Sequence, residues 1–148
     1  MSQGESDTRS QSPPETPRSG YQKLMGYRLV HWSEGLAVAE LAVGTQHLNR
    51  DGVLHGGVLM SLVDTVCGYA GCFSTEPSRR RRALTLSLTT SFTAPVTGGV
   101  LKAIGRVRFG GSRTFFSDAE VLDQKDNVVA IGQGTFQYRR DHRSQGMR

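Results

Sequence analysis

The stretch Gln46–Phe73, QHLNRDGVLHGGVLMSLVDTVCGYAGCF, decides the fold. Its first third is polar and turn-rich, with Asn49, Asp51 and Gly52 as turn formers. His55-Gly56-Gly57 then opens a helix that apolar spacing carries to about Phe73. At a helical period, Leu59, Leu62, Val63, Val66, Tyr69, Ala70 and Phe73 share one face. Gly57, Met60, Ser61, Asp64, Gly68 and Gly71 share another, made mostly of small residues. Such a helix is expected to be buried nearly all round, with something packed close to its small side. Asp64 is the lone carboxylate in this segment, and burying a carboxylate is costly unless it has a partner or a task.

Outward from the helix the pattern changes to strands. Upstream, Gly20–Gly26 reads as a short helical turn closed by Gly26. Tyr27–Glu34 and Gly35–Val43 read as two strands, with Ser33-Glu34-Gly35 as the hairpin turn. Downstream, Glu76–Arg82 is a basic loop. Strands follow over Ala83–Phe92, Val100–Phe109, Arg113–Leu122 and Val128–Tyr138, separated by turns at Val96–Gly99, Gly110–Ser112 and Asp123–Asn127. The order β-β-α-β-β-β-β is α+β: one long helix and a mostly antiparallel sheet that curves around it.

The chain has 148 residues, a natural size for one core. We divide it into a tail over residues 1–19, a domain over 20–138 and a basic tail over 139–148. The first tail, rich in Pro, Ser, Glu and Thr, is expected to be disordered. No apolar run is long enough to span a bilayer, and no secretory leader is visible. Cys67 and Cys72 are five apart on the helix, too far round it for an intrahelical disulfide, and read as buried thiols of a cytoplasmic protein. The net charge is +5, concentrated partly in Arg79-Arg80-Arg81-Arg82 and at the C-terminus. That excess attracts polyanions as a class. The arginine run lacks the interleaved aromatics of an RNA-binding surface.

Three features carry the chemistry. Asp64 shares its face with small residues that leave room for a ligand. The Gly56-Gly57 corner presents free backbone N–H groups at the positive end of the helix dipole, which suits a developing oxyanion. Asn49 can hold a water or a carbonyl, or simply close a turn. His55 can cap the helix or act in catalysis, with capping the more common use. His47 and His55 lack a third partner at metal-ligand spacing, so no metal is expected. Motifs for a nucleophilic serine, a Walker loop or a dinucleotide fold are absent.

His47-x-Asn49-x-x-Gly52-x-x-His55-Gly56-Gly57, followed by Leu62-Val63-Asp64-Thr65, resembles the motif of the hotdog-fold acyl-CoA thioesterases. The match is to the PaaI-like branch of the 4-hydroxybenzoyl-CoA thioesterase superfamily. It extends from about Gly20 to Tyr138, through Ala94-Pro95, Gly111-Ser112-Arg113-Thr114 and Gly132-Gln133-Gly134. The resemblance implies a hotdog fold, in which a curved antiparallel sheet wraps one long helix. It implies a homodimer joined edge to edge, usually paired again into a tetramer, with acyl-CoA as substrate and no separate cofactor. Asp64 would be general base or nucleophile, the Gly56 N–H would polarise the thioester carbonyl, and Asn49 and Thr85 would position water or carbonyl. Asp64 and the Asn49/Gly56 pair would come from different subunits. Arg79, Arg80, Arg81 and Arg82, with the Gly111-Ser112-Arg113 turn, are candidates for holding CoA. Ser112 departs from the Gly that relatives commonly carry there. Met60, Cys67 and Phe92 are candidate linings of the acyl channel. Neither nucleic acid nor a membrane is an expected partner. The competing readings are an acyl-thioester dehydratase, whose usual Gly-His-Phe-Pro corner is missing, and a non-catalytic acyl-CoA binding module.

Overall fold

Alternating apolar and polar residues set up the sheet, and one glycine sets how close the helix comes to it. In a computed structural model, which describes residues 17–140, α1 spans Gly20–Met25, β1 Arg28–Ser33 and β2 Leu36–Ala42. Helix α2 spans Gly56–Ala70, and β3 to β6 cover Ala83–Phe92, Val100–Gly110, Thr114–Leu122 and Val128–Tyr138. The tails expected over 1–19 and 139–148 lie mostly outside the described residues. All strand pairs are antiparallel, and the six-stranded sheet has the order β1-β2-β4-β5-β6-β3. This is the hotdog arrangement, with α2 packed along the concave face. Among the described residues, no helix is long and apolar enough to cross a membrane.

Local chemistry places the ends of each element. Ser19 caps α1 by accepting the Gln22 N–H, and Gly26 closes it at a φ of 84°, a left-handed conformation that glycine adopts without strain. The hairpin between β1 and β2 turns on Glu34-Gly35. Helix α2 stops at Ala70, three residues short of the expected end. The Phe115 ring fills the space where a Gly71 side chain would stand, and the Tyr138 hydroxyl donates to the Gly71 carbonyl at 2.7 Å. That tertiary bond takes a carbonyl the next turn would have left open.

The core lies between α2 and the sheet. Leu62, Val63, Val66 and Cys67 meet Leu41, Leu101, Phe115, Val121 and Phe136 there, all buried. Phe115 and Phe136 stack at 5.1 Å. At Gly105, on central strand β4, a Cβ would overlap the Val66 carbonyl and stand 2.9 Å from the Cys67 nitrogen. Helix backbone thus rests almost directly on strand backbone.

The other side of α2 differs from expectation. Within one protomer it is not buried all round: Gly57 and Met60 are exposed, and Ser61, Asp64 and Gly68 are half-buried. Gly71 packs against Phe115 instead of sharing this open side. Edge strand β3 is open as well. A bulge between Thr85 and Ser87 breaks its register, and Leu84 and Leu86 remain 55% exposed on an unpaired edge.

Replacing Gly105 by Ala drives a methyl into the α2 backbone, which a flexible side chain cannot relieve. We expect Gly105→Ala to lose about 1–3 kcal/mol, the usual range for overpacking. The shift in urea midpoint at unchanged slope measures it; a midpoint equal to wild type contradicts the close approach.

Candidate active site

The helix start is built by its own loop. The His55 ring caps α2, its Nδ1 accepting the Gly57 N–H at 2.9 Å, while the His55 carbonyl accepts the Val58 N–H. This leaves the Gly56 N–H as the first donor of the helix with no acceptor among the described residues, pointing the way a helix start points. The Phe92 ring lies 3.2 Å from where a Gly56 side chain would begin, so a side chain there would press on that ring. Asn49 folds the loop: its Oδ1 accepts the N–H groups of Asp51 and Val53 at 2.9 and 3.1 Å. Its amide N–H groups remain for another partner. His47 is buried and bridges two segments. It accepts the Gly44 N–H on Nδ1 and donates through Nε2 to the Met25 carbonyl at 2.7 Å, tying the loop to α1.

Asp64 sits eight residues into α2 past Gly56. At the helical rise that is about 12 Å along the axis, so the two do not converge on one atom within a protomer. The structure does bring Asp64 to Thr85 of β3, whose hydroxyl donates to Oδ1 at 2.6 Å. Both face a cleft of about 440 Å³. Its apolar wall is Trp32, Tyr69, Phe136 and Cys72, and its rim includes Arg81, Arg82 and Arg139. Trp32 is fixed by an indole N–H bond to the Tyr69 carbonyl at 2.7 Å and by edge-on contact with the Tyr69 and Phe73 rings. Tyr27 and Gln22 close the cleft from the α1 side. Burial pushes the Tyr27 phenol above its ordinary value, against a lowering hydrogen bond with Thr65, so a neutral hydroxyl stands near Asp64.

Within one protomer, none of the three expected channel residues lines this cleft. Cys67 is fully buried in the core, Met60 is exposed on the open side of α2, and Phe92 lies over Gly56 instead of in the cleft. Among the residues that do line it, Tyr69 is read from the sequence only as part of the apolar helix face, and Trp32, Phe136 and Gln22 carry no assignment there. The one signal was a sole tryptophan on a strand next to the helix.

The four arginines of the run part company. Arg79 pairs with Glu76 at 2.9 Å on the surface. Arg80 lies over the Trp32 ring, 5.3 Å from its centre. Arg81 stacks 3.3 Å above Tyr138 and donates to the Ser112 carbonyl at 3.0 Å. Arg82 lines the cleft with its side chain exposed. The Gly111-Ser112-Arg113 turn is closed by the Gly111 N–H donating to the Thr114 carbonyl at 2.8 Å, and its Arg113 side chain points to a second depression beyond Arg81.

Comparison with known proteins places these features in context. Residues 51–130 match the profile described as the Thioesterase superfamily. The acyl-coenzyme A thioesterase PaaI of Escherichia coli K12 is 34% identical over 113 residues, which covers 76% of this chain and 77% of that protein. Its solved structure, described as the PaaI protein from the phenylacetic acid degradation operon, superposes with a TM-score of 0.74 at 31% identity, covering 82% of this chain and 86% of that one. A conserved protein from Pseudomonas aeruginosa, PA5202, gives a TM-score of 0.73 at 35% identity over 82% of this chain and 95% of its own.

Both thiols are free, and burial pushes Cys67 up to about 12 and Cys72 up to about 11. The thiolate is the reactive form, so at pH 8 neither is expected to react with a thiol dye while the chain is folded. Two equivalents of dye should be consumed only after denaturation. Rapid labelling of the native protein would contradict the burial of the two thiols.

Proposed function

The chain belongs to the thioesterase superfamily and is a thioester hydrolase, and from that premise we propose that it cleaves acyl-CoA to a free carboxylic acid and CoA. The observation that carries the reading is the Thr85–Asp64 hydrogen bond at the head of an apolar cleft. The sheet packs one side of α2 and turns the carboxylate into a space that fits an acyl group.

Asp64 accepts a proton from water as that water adds to the thioester carbonyl, or adds to the carbonyl itself. The Thr85 hydroxyl holds Oδ1, which leaves Oδ2 aimed at the reacting centre. The Gly56 N–H, at the positive end of the helix dipole, stabilises the oxygen as it becomes negative. With Asp64 as base, the carbon–sulfur bond then breaks and the thiolate takes the proton that Asp64 took up, leaving as the CoA thiol; with Asp64 as nucleophile, the same bond breaks to leave a mixed anhydride, which water cleaves to the free acid and the Asp64 carboxylate, its released proton going to the thiolate. His55 serves this scheme by capping the helix that carries Gly56.

Because Gly56 and Asp64 stand about 12 Å apart on one helix, the complete site is a homodimer site, with Asn49 and Gly56 supplied by the second copy. The open β3 edge and the exposed Leu84, Leu86 and Phe92 support pairing through that strand. Free buried thiols at Cys67 and Cys72 fit a cytoplasmic setting. The acyl group packs against Trp32, Tyr69 and Phe136.

Asp64→Asn should lower kcat for acyl-CoA by about 10²–10⁴-fold, the share a positioned base supplies, with circular dichroism unchanged. Thiol release across an acyl-CoA panel reads this; a fully active Asp64→Asn enzyme would falsify the mechanism. Light scattering on the purified chain tests the dimer, and a stable, fully active monomer rules it out.

A further inference from the structure

Of the four adjacent arginines, only Arg80 is turned inward. It is half-buried, while Arg79, Arg81 and Arg82 are exposed. Its Nε is shut off from solvent and has no hydrogen-bond partner among the described residues. What it meets instead is the Trp32 ring, whose centre lies 5.3 Å from the guanidinium carbon. The ring quadrupole attracts such a cation, more strongly where water is excluded. Backbone bonds deliver the side chain to this place. The Arg80 N–H donates to the Pro77 carbonyl at 3.3 Å, and the Arg81 N–H donates to the Cys72 carbonyl at 3.4 Å. The second bond ties the arginine loop to the end of α2.

Trp32 is the sole tryptophan of the chain. Besides Arg80, it is held by the Tyr69 carbonyl on its indole N–H and by the Tyr69 and Phe73 rings, 5.1 and 5.6 Å away. The same indole lines the cleft that holds Asp64. Tyr69 lies five residues past Asp64, about 7.5 Å along the helix axis. Gly68 lines the cleft between them and has no side chain to obstruct the way. With a thioester carbonyl at Asp64, an acetyl group ends one methyl later, short of Trp32. A longer acyl group runs past Gly68 and reaches the indole.

We infer that Arg80 is a positioning residue for acyl selection: it holds the Trp32 indole as the wall against which the far end of the acyl group packs. This rests on the acyl-CoA reading. It moves Arg80 from the carrier end of the substrate, where the family resemblance would put the whole run, to the acyl end. Arg80 touches neither the substrate nor the reacting atoms and acts through Trp32. An indole free to swing loses its packing against a chain that reaches it, and leaves a shorter chain unaffected. The contact is made equally in the bound substrate and in the transition state, so its loss raises KM and spares kcat.

Kinetics on the full chain test this through one ratio: kcat/KM for the best longer acyl-CoA over kcat/KM for acetyl-CoA. The ratio should fall about three- to tenfold in Arg80→Ala, the scale of one cation–π contact, and the fall should lie in KM. Arg80→Lys, which keeps a cation for the ring, should restore most of it. The emission of the sole tryptophan gives a second readout. An S-octyl-CoA thioether carries a chain but no carbonyl to hydrolyse. It should shift wild-type emission and shield it from acrylamide, and both effects should weaken in Arg80→Ala. Equal losses for both esters in Arg80→Ala, the mark of a carrier contact or of damaged folding, overturn the inference. So does a wild type that hydrolyses acetyl-CoA at least as well as every longer ester, or Trp32 emission that the thioether leaves unmoved. Wild type that releases no thiol from any ester, while the thioether response is present and weakens in Arg80→Ala, upholds the role of Arg80 and overturns the hydrolysis.

Discussion

The rest of the structure depends on one close approach: the backbone of α2 at Val66–Cys67 lying on Gly105 of β4. A helix so near a strand has little freedom to roll. With Val66 locked inward, a residue two positions earlier is turned by about 200° at 100° per residue. Asp64 is that residue, so the packing that buries Val63, Val66 and Cys67 also sends the carboxylate to the open side. The same contact sets the helix height against β3, where Thr85 meets Asp64. Core packing and site geometry are one constraint seen from two sides of a helix.

The loop before the helix uses its polar groups twice. Asn49 and His55 satisfy backbone N–H groups that a turn and a helix start would leave open. By taking the Gly57 N–H, His55 settles which donor stays free, and that donor is Gly56. His47, buried and bonded at both ring nitrogens, holds this loop to α1. Residues that look catalytic in type thus build the frame that aims one backbone group.

The arginine-rich character of the chain resolves into separate physical roles. A guanidinium over an aromatic ring, as in Arg80 on Trp32 or Arg81 on Tyr138, trades solvent for a quadrupole and stiffens the loop after α2. An arginine beside Glu76 is a solvated surface pair of little energetic consequence. At the ends of β3, β5 and β6, Arg81, Arg113, Arg139 and Arg140 line one depression with no carboxylate among the described residues lining it.

Much was legible in the residues alone. Period-two and period-3.6 patterns are local, so the strands, the hairpin at Glu34-Gly35 and the start of α2 could be read directly, as could the family. The end of α2 could not, because a Phe115 ring and a Tyr138 hydroxyl from distant strands stop it. The cleft beside Asp64 could not, because Trp32, Tyr69 and Phe136 come from three elements whose register is set only on folding. The fates of Arg79, Arg80, Arg81 and Arg82, adjacent in sequence, diverge because each meets a partner from elsewhere in the chain or none. Sequence by itself determined which groups are present and how they repeat along the chain. Tertiary structure decided which of them face one another, because hydrogen bonds, ring contacts and clefts exist only between segments that packing has brought together.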